Sequence, residues 1–208
     1  MRPVPLVAAG VAAVALTLTA CGGSSSSSPS GASKPTASAG TTPSGAANPN
    51  APEVVAPGDI PDNQVFVPYT PPGARFSVRV PEGWARSTAN GAVTFTDKFN
   101  SIEVRSVTGT KAPTVASVKT SGLATVAKDP TFKAGKVTAI TRKSGPGVLA
   151  TYTVGSAPNS VTGKKALLAV EHYEFARGGT TVMLTLSGAK GADNVDPWRI
   201  VSDSLTWK

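Results

Sequence analysis

The chain has 208 residues, with 20 Lys and Arg against 12 Asp and Glu, one Cys and one His. A single Cys excludes an internal disulfide and a Cys-clustered metal site, and a single His leaves little room for a His-rich catalytic centre. The length fits one domain with appendages, and the 18 Pro are concentrated in the first third.

Residues 1–20 have the pattern of a secretory signal peptide, because residues 6–18 form an apolar run too short for the roughly 20 residues that span a bilayer. Leu18-Thr19-Ala20-Cys21 then resembles the lipobox of bacterial lipoproteins. The resemblance implies cleavage after Ala20 and a diacylglyceryl group on the Cys21 thiol, which would anchor the protein to the outer face of a cell membrane. The alternative is a plain secreted protein with an unpaired thiol.

Residues 21–72 are predicted to be a disordered tether that begins at the lipidated Cys21. The segment consists mainly of Ser, Gly, Ala, Thr, Pro and Asn, which bury too little apolar surface to offset the entropy of ordering. The same composition is compatible with O-linked sugars. Val65-Phe66-Val67 and Tyr69 indicate that the last part of this segment docks on the following domain.

Residues 73–208 are predicted to form one α+β domain. Phe76, Val78 and Val80 alternate with polar residues, which places them on one buried face of a strand. Gly178-Gly179 lies between two strand-like runs and is typical of a hairpin turn. Further strand patterns occur at 93–95, 102–107, 137–142, 148–154, 167–177 and 181–186.

Two helices are predicted, at residues 114–127 and at residues 193–204, with Pro197 in the first turn of the second. Asp193 and Asp196 are placed to cap that second helix. Because no strand–helix–strand rhythm appears, we expect a mainly antiparallel sheet with the two helices covering one face or its edges.

Residues 76–84 are similar to the opening signature of Mog1/PsbP-like domains, a strand that ends in a Pro-x-Gly-Trp turn at Trp84. The likeness extends over residues 74–207, and the chain also resembles actinobacterial surface lipoproteins of that fold. It implies a mainly antiparallel sheet with two flanking helices. It also implies a binding, assembly or accessory role, with no catalytic residues to carry over.

No catalytic, metal-binding or cofactor-binding residues are predicted. His172 is expected to be a solvated strand histidine that shares a face with Glu174, opposite Tyr173. Glu171 and Glu174 fall on opposite faces, which disfavours a glycosidase pair. Trp84, Trp198 and Trp207 are expected to be core or closing residues, with a groove-lining role as the alternative for Trp84.

From Gly73 onward the chain has 18 basic and 9 acidic residues. A basic domain tethered to an anionic bilayer is attracted to it, although scattered solubility charge is the alternative. We therefore expect a non-enzymatic module that binds an envelope protein, a lipid or an anionic wall polymer, and not nucleic acid. The competing hypothesis is an envelope hydrolase, which a pocket joining His172 to a Ser and a carboxylate would favour.

Overall fold

The computed structural model describes residues 58–159 and 162–208. The predicted signal peptide at 1–20, Cys21 and the tether as far as residue 57 lie outside the described residues. Within the described ranges, no helix is long and apolar enough to cross a membrane.

In the described part of the chain, ten strands form two antiparallel sheets. The strands are β1 Phe66–Tyr69, β2 Phe76–Pro81, β3 Ala85–Ala89, β4 Ala92–Asp97, β5 Asn100–Thr108, β6 Lys133–Arg142, β7 Gly145–Gly155, β8 Leu167–Arg177, β9 Thr180–Ala189 and β10 Thr206–Trp207. The large sheet has the order β3-β4-β5-β9-β8-β7-β6, and the small one has the order β1-β2-β10. The predicted hairpin between β8 and β9 is confirmed, because Gly178 and Gly179 both adopt the positive φ that a tight primed turn requires.

One face of the large sheet is covered by the small sheet and by helix α2, Val195–Asp203. Phe76, Val78 and Val80 are buried there as predicted, together with Tyr173 and Phe175 of β8. Trp198, Val201 and Leu205 complete this main core. Pro197 lies in the first turn of α2, as the sequence predicts.

The predicted caps of α2 are corrected by the structure. Asn194 occupies the cap position, and its side chain bonds Gly58 and Asn100 instead of the helix. The Asp193 backbone N–H donates to Asp59, whereas Asp196 lies in the first turn of the helix.

The opposite face of the large sheet is covered by a broken helical segment. The predicted helix at 114–127 consists of α1 Val115–Ser117, a π-helical turn Val118–Gly122 and a 3₁₀ turn Val126–Lys128. Thr114 caps the segment, and its side chain accepts from the Ser117 backbone N–H. The wider turn is stabilised by packing, since Val118 and Leu123, five residues apart, are both buried on the sheet. The sheet is mainly antiparallel as predicted, but the expectation that both helices cover one face or its edges is wrong. They lie on opposite faces, because Val170 under one and Tyr173 under the other point to different sides of β8.

Residues 58–72 belong to the folded domain, which corrects the predicted tether boundary at 72. Strand β1 pairs with β2 along its length, and Ile60 is 4% exposed. The Ile60 backbone N–H donates to Asn194 Oδ1 at 2.8 Å. The boundary was misjudged because it was drawn from average composition, in which the few apolar residues of this segment are outweighed by Pro and Asp. The docking predicted for Val65-Phe66-Val67 and Tyr69 is confirmed for β1.

Candidate functional site

A groove of about 830 Å³ lies beside α2, between β10 and the turn that joins β6 to β7. We call it the α2 groove. It is lined by Arg79, Lys143, Ser144, Arg177, Asp196, Arg199, Ile200, Asp203, Ser204, Leu205, Thr206 and Trp207.

Four cationic side chains reach the α2 groove from four different elements. Arg79 is the exposed residue between two buried positions of β2, so strand alternation turns it outward. Lys143 lies in the β6–β7 turn, Arg177 is the last residue of β8, and Arg199 is on the outer side of α2. The fold therefore collects charges that are far apart in the chain.

Only part of this charge is neutralised. Asp203 lies 3.9 Å from Arg199 and 3.7 Å from Arg142. Among the described residues, no carboxylate lies within the 4 Å of an ion pair from the side-chain nitrogens of Arg79, Lys143 or Arg177. With Asp196 and Asp203 as its two carboxylates against four cations, the lining has an excess of positive charge.

A polar network supports the groove from below. Arg142 donates from Nη2 to Tyr173 Oη at 3.3 Å and also lies over the Tyr173 ring. The Tyr173 hydroxyl donates in turn to Glu171 Oε2 at 2.5 Å. Burial, followed by the hydrogen bond to Glu171, raises the pKa of Tyr173 above its ordinary value. The hydrogen bonds thus link Glu171, Tyr173 and Arg142, and Arg142 Nε lies 3.7 Å from Asp203 Oδ1 at the groove.

Ser144 and Trp207 form one wall of the groove. The Trp207 indole N–H donates to the Ser144 carbonyl oxygen at 3.1 Å. The Trp207 ring packs edge-to-face against Phe76, with 6.3 Å between the ring centroids. The Ser144 hydroxyl is shielded from solvent and has no hydrogen-bond partner among the described residues. Trp207 is partly buried and packs against the main core, as the sequence predicts.

His172 is buried, which corrects the prediction of a solvated histidine. It is 7% exposed, and its Nδ1 lies 2.9 Å from Thr185 Oγ1 while its Nε2 lies 3.2 Å from Glu174 Oε1. Strand alternation correctly predicted that His172 shares a face with Glu174. It could not predict that the helical segment containing Gly122 covers that face. Gly122 packs so closely that a Cβ there would clash with Glu174 Oε1.

This hydroxyl–imidazole–carboxylate row contains the group types of a hydrolase triad, with Thr185 in place of Ser. It lies on the opposite face of the sheet from the α2 groove and does not line it. Glu171 bonds Tyr173 on the other face, so the predicted separation of Glu171 from Glu174 is confirmed. The described residues include no group of three or more His, Cys, Asp or Glu arranged to hold a metal.

Trp84 is half-buried and packs against the main core, and it also lines a shallow groove beside the β4–β5 turn. Trp198 is a residue of α2 and is buried against the main core.

Sequence reasoning missed Arg79, Lys143, Arg177 and Arg199 as a group. The only signal in the sequence was the excess of basic residues over acidic ones from Gly73 onward. No local spacing links positions on four separate elements.

No family model matches the chain, and no curated protein matches it. Among solved structures, the chain is similar to the Ran-binding protein Mog1p of Saccharomyces cerevisiae, with a TM-score of 0.47 and 9% identity over 69% of this chain and 96% of that one. It is similar to PsbP of Synechocystis, with a TM-score of 0.45 and 13% identity over 73% and 98%. It is also similar to LpqN, described as involved in cell envelope biogenesis of Mycobacterium tuberculosis, with a TM-score of 0.39 and 16% identity over 70% and 91%. Mog1p and PsbP are the two proteins that give the domain type named from residues 76–84 its name, and likenesses at this level assign no function.

Proposed function

We propose that this protein is a membrane-anchored cell-envelope lipoprotein whose domain is a non-enzymatic binding module. The single observation that carries the proposal is Cys21, the one cysteine of the chain, placed directly after a lipobox-like Leu18-Thr19-Ala20. The α2 groove is the proposed binding site for an anionic lipid, an anionic wall polymer or an acidic surface of an envelope protein.

The anchor follows from acyl-chain energetics. One acyl chain holds a protein only marginally on a bilayer, whereas two chains hold it durably. About 36 residues separate Cys21 from Gly58, and a chain of that length spans at most about 130 Å. A lipid on Cys21 therefore keeps the domain within that distance of the membrane surface.

The groove supports reversible binding better than catalysis. Its lining includes four cationic side chains, the hydroxyl-bearing residues named below and the Trp207 indole. Ser144, Ser204 and Thr206 line it, but the chain's one histidine lies across the sheet, bonded to Thr185 and Glu174. A hydroxyl without a neighbouring base is a poor nucleophile at neutral pH.

Membrane fractionation of cells tests the anchor. Wild-type protein should sediment with membranes and be released by detergent, and Cys21→Ser should appear in the soluble fraction. Ser24→Ala is the matched control, since it lies just past the lipobox-like segment and should fractionate like the wild type. If Cys21→Ser still sediments in a detergent-sensitive form, the lipoprotein proposal is wrong.

The contact of His172 with Thr185 and Glu174 favours a second candidate, an envelope hydrolase. In that case purified protein would hydrolyse p-nitrophenyl esters, and Thr185→Val and His172→Gln would each abolish the activity. A chain that hydrolyses no such ester, or whose activity survives both substitutions, rules this candidate out. The hydroxyl is placed beside its base, but the imidazole and carboxylate are both buried.

A further inference from the structure

We propose that the α2 groove binds a phosphate group, and that its occupant in the envelope is the headgroup of an anionic phospholipid. This inference rests on the proposed binding role and names the ligand of the same site. Three observations carry it: the unpaired cations, the groove's hydrogen-bonding wall, and the apolar side chains beside it.

The cations fit the chemistry of phosphate. A guanidinium presents a rigid fork of N–H donors that matches phosphate oxygens, and an ammonium adds a compact charge. Arg79 and Arg177 supply two guanidinium groups and Lys143 supplies the ammonium, all without a carboxylate partner among the described residues. Arg199 is partly committed to Asp203, which leaves the other three for a ligand.

The size and wall of the groove fit a small headgroup. Its volume of about 830 Å³ lies within the range of about 300–1,000 Å³ that is usual for small-ligand sites. The Thr206 hydroxyl, at an exposed position of β10 that lines the groove, can accept from a headgroup hydroxyl. The Trp207 ring stands on the same wall.

The outer side of α2 distinguishes a lipid from a soluble phosphate. Val195 is 71% exposed and Ile200 is 44% exposed, and both lie on the helix surface that also presents Arg199. Arg199 with exposed aliphatic side chains on the same helix surface matches the boundary between headgroups and acyl chains, where charged and apolar groups meet. A free phosphate ion would make no favourable contact with the exposed side chains of Val195 and Ile200.

The position of α2 in the chain points to the same source. The segment that leads from Cys21 enters the described domain at Gly58, whose carbonyl accepts from Asn194 Nδ2 at 3.1 Å. Asn194 directly precedes α2. The segment that follows Cys21 therefore joins the domain at the helix that presents Arg199 and the exposed aliphatic residues.

Vesicle sedimentation of the full Cys21→Ser chain tests the inference without an acyl anchor. The chain should bind phosphatidylcholine vesicles that contain phosphatidylglycerol more tightly than vesicles of phosphatidylcholine alone. The triple variant Arg79→Gln, Lys143→Gln, Arg177→Gln should weaken the phosphatidylglycerol-dependent binding on the order of a hundredfold. Lys111→Gln, Lys119→Gln, Lys128→Gln, with the same charge change on or near the opposite helical segment, is the matched control and should weaken it far less.

A second variant and a second ligand complete the test. Arg177→Glu alone should weaken the same binding at least about fivefold, which covers the case of a misfolded triple variant. Calorimetric titration with inorganic phosphate separates the two sources of the anion. Equal losses in the groove and control variants, no dependence on phosphatidylglycerol, or tight binding of inorganic phosphate without vesicle binding would each overturn the lipid assignment. None of these results bears on the fractionation of wild type against Cys21→Ser, so the anchor stands or falls separately.

Discussion

Deleting residues 58–72 should abolish cooperative folding of the domain, although composition alone makes the segment look dispensable. Ile60 is 4% exposed, and losing such a side chain costs about 2–5 kcal/mol. The half-buried apolar residues of β1, Phe66, Val67 and Tyr69, add about 1 kcal/mol each. Asn194 also loses the backbone groups of Gly58 and Ile60, which leaves a buried amide short of partners at a cost of about 1–3 kcal/mol.

The sum, about 6–11 kcal/mol, is comparable with the whole stability of a typical domain, about 5–15 kcal/mol. Urea unfolding followed by tryptophan fluorescence measures it, on Cys21→Ser protein to avoid the lipid. Deletion of residues 43–57, which has the same length but lies before the described domain, is the control and should leave the midpoint nearly unchanged. If the 58–72 deletion unfolds with the same midpoint as its parent, the boundary argued from Ile60 and β1 is incorrect.

Three further perturbations follow from the packing. Trp84→Ala should lower the free energy of unfolding by about 2–3 kcal/mol in thermal or urea melts, because the ring is only half-buried against the core, and a loss under about 1 kcal/mol would favour a groove role instead. Tyr173→Phe should cost about 1–3 kcal/mol in the same melts, since it removes the partner of Glu171 and Arg142, and an unchanged midpoint would contradict the network beneath the groove. Burial, and then Glu103, raises the pKa of Tyr152 from 10.0 to about 12, so its contribution to stability is complete below about pH 10 and is lost as pH rises toward about 12. Urea midpoints across that window should fall less for Tyr152→Phe than for the parent, and equal slopes would refute the assignment.

The sheet was predictable because strand alternation is local. Phe76, Val78 and Val80 repeat at every second position, and Gly178-Gly179 can only be a turn between two apolar runs, so these elements needed no tertiary information. The helical segment was less predictable. Its apolar spacing indicated a helix, but the π-helical turn at Val118–Gly122 is stabilised by burial against the sheet, which no propensity reports.

The candidate site was less predictable still. Alternation assigned His172 to the correct face, yet whether that face meets water depends on Gly122, 50 residues earlier in the chain. The α2 groove combines Arg79 with Lys143 and Arg177, which are adjacent only after β2, the β6–β7 turn and the end of β8 have packed. The net charge favoured an anionic partner as a hypothesis, whereas the grouping of these cations in one groove follows only from the fold.

Mass spectrometry of protein extracted from purified membranes tests the central proposal, lipid anchoring through Cys21, most directly. The first peptide of the mature chain should begin at Cys21 and carry the mass of a diacylglyceryl group on its thiol. A membrane-extracted chain that retains residues before Cys21, or that begins at Cys21 with an unmodified thiol, would contradict it.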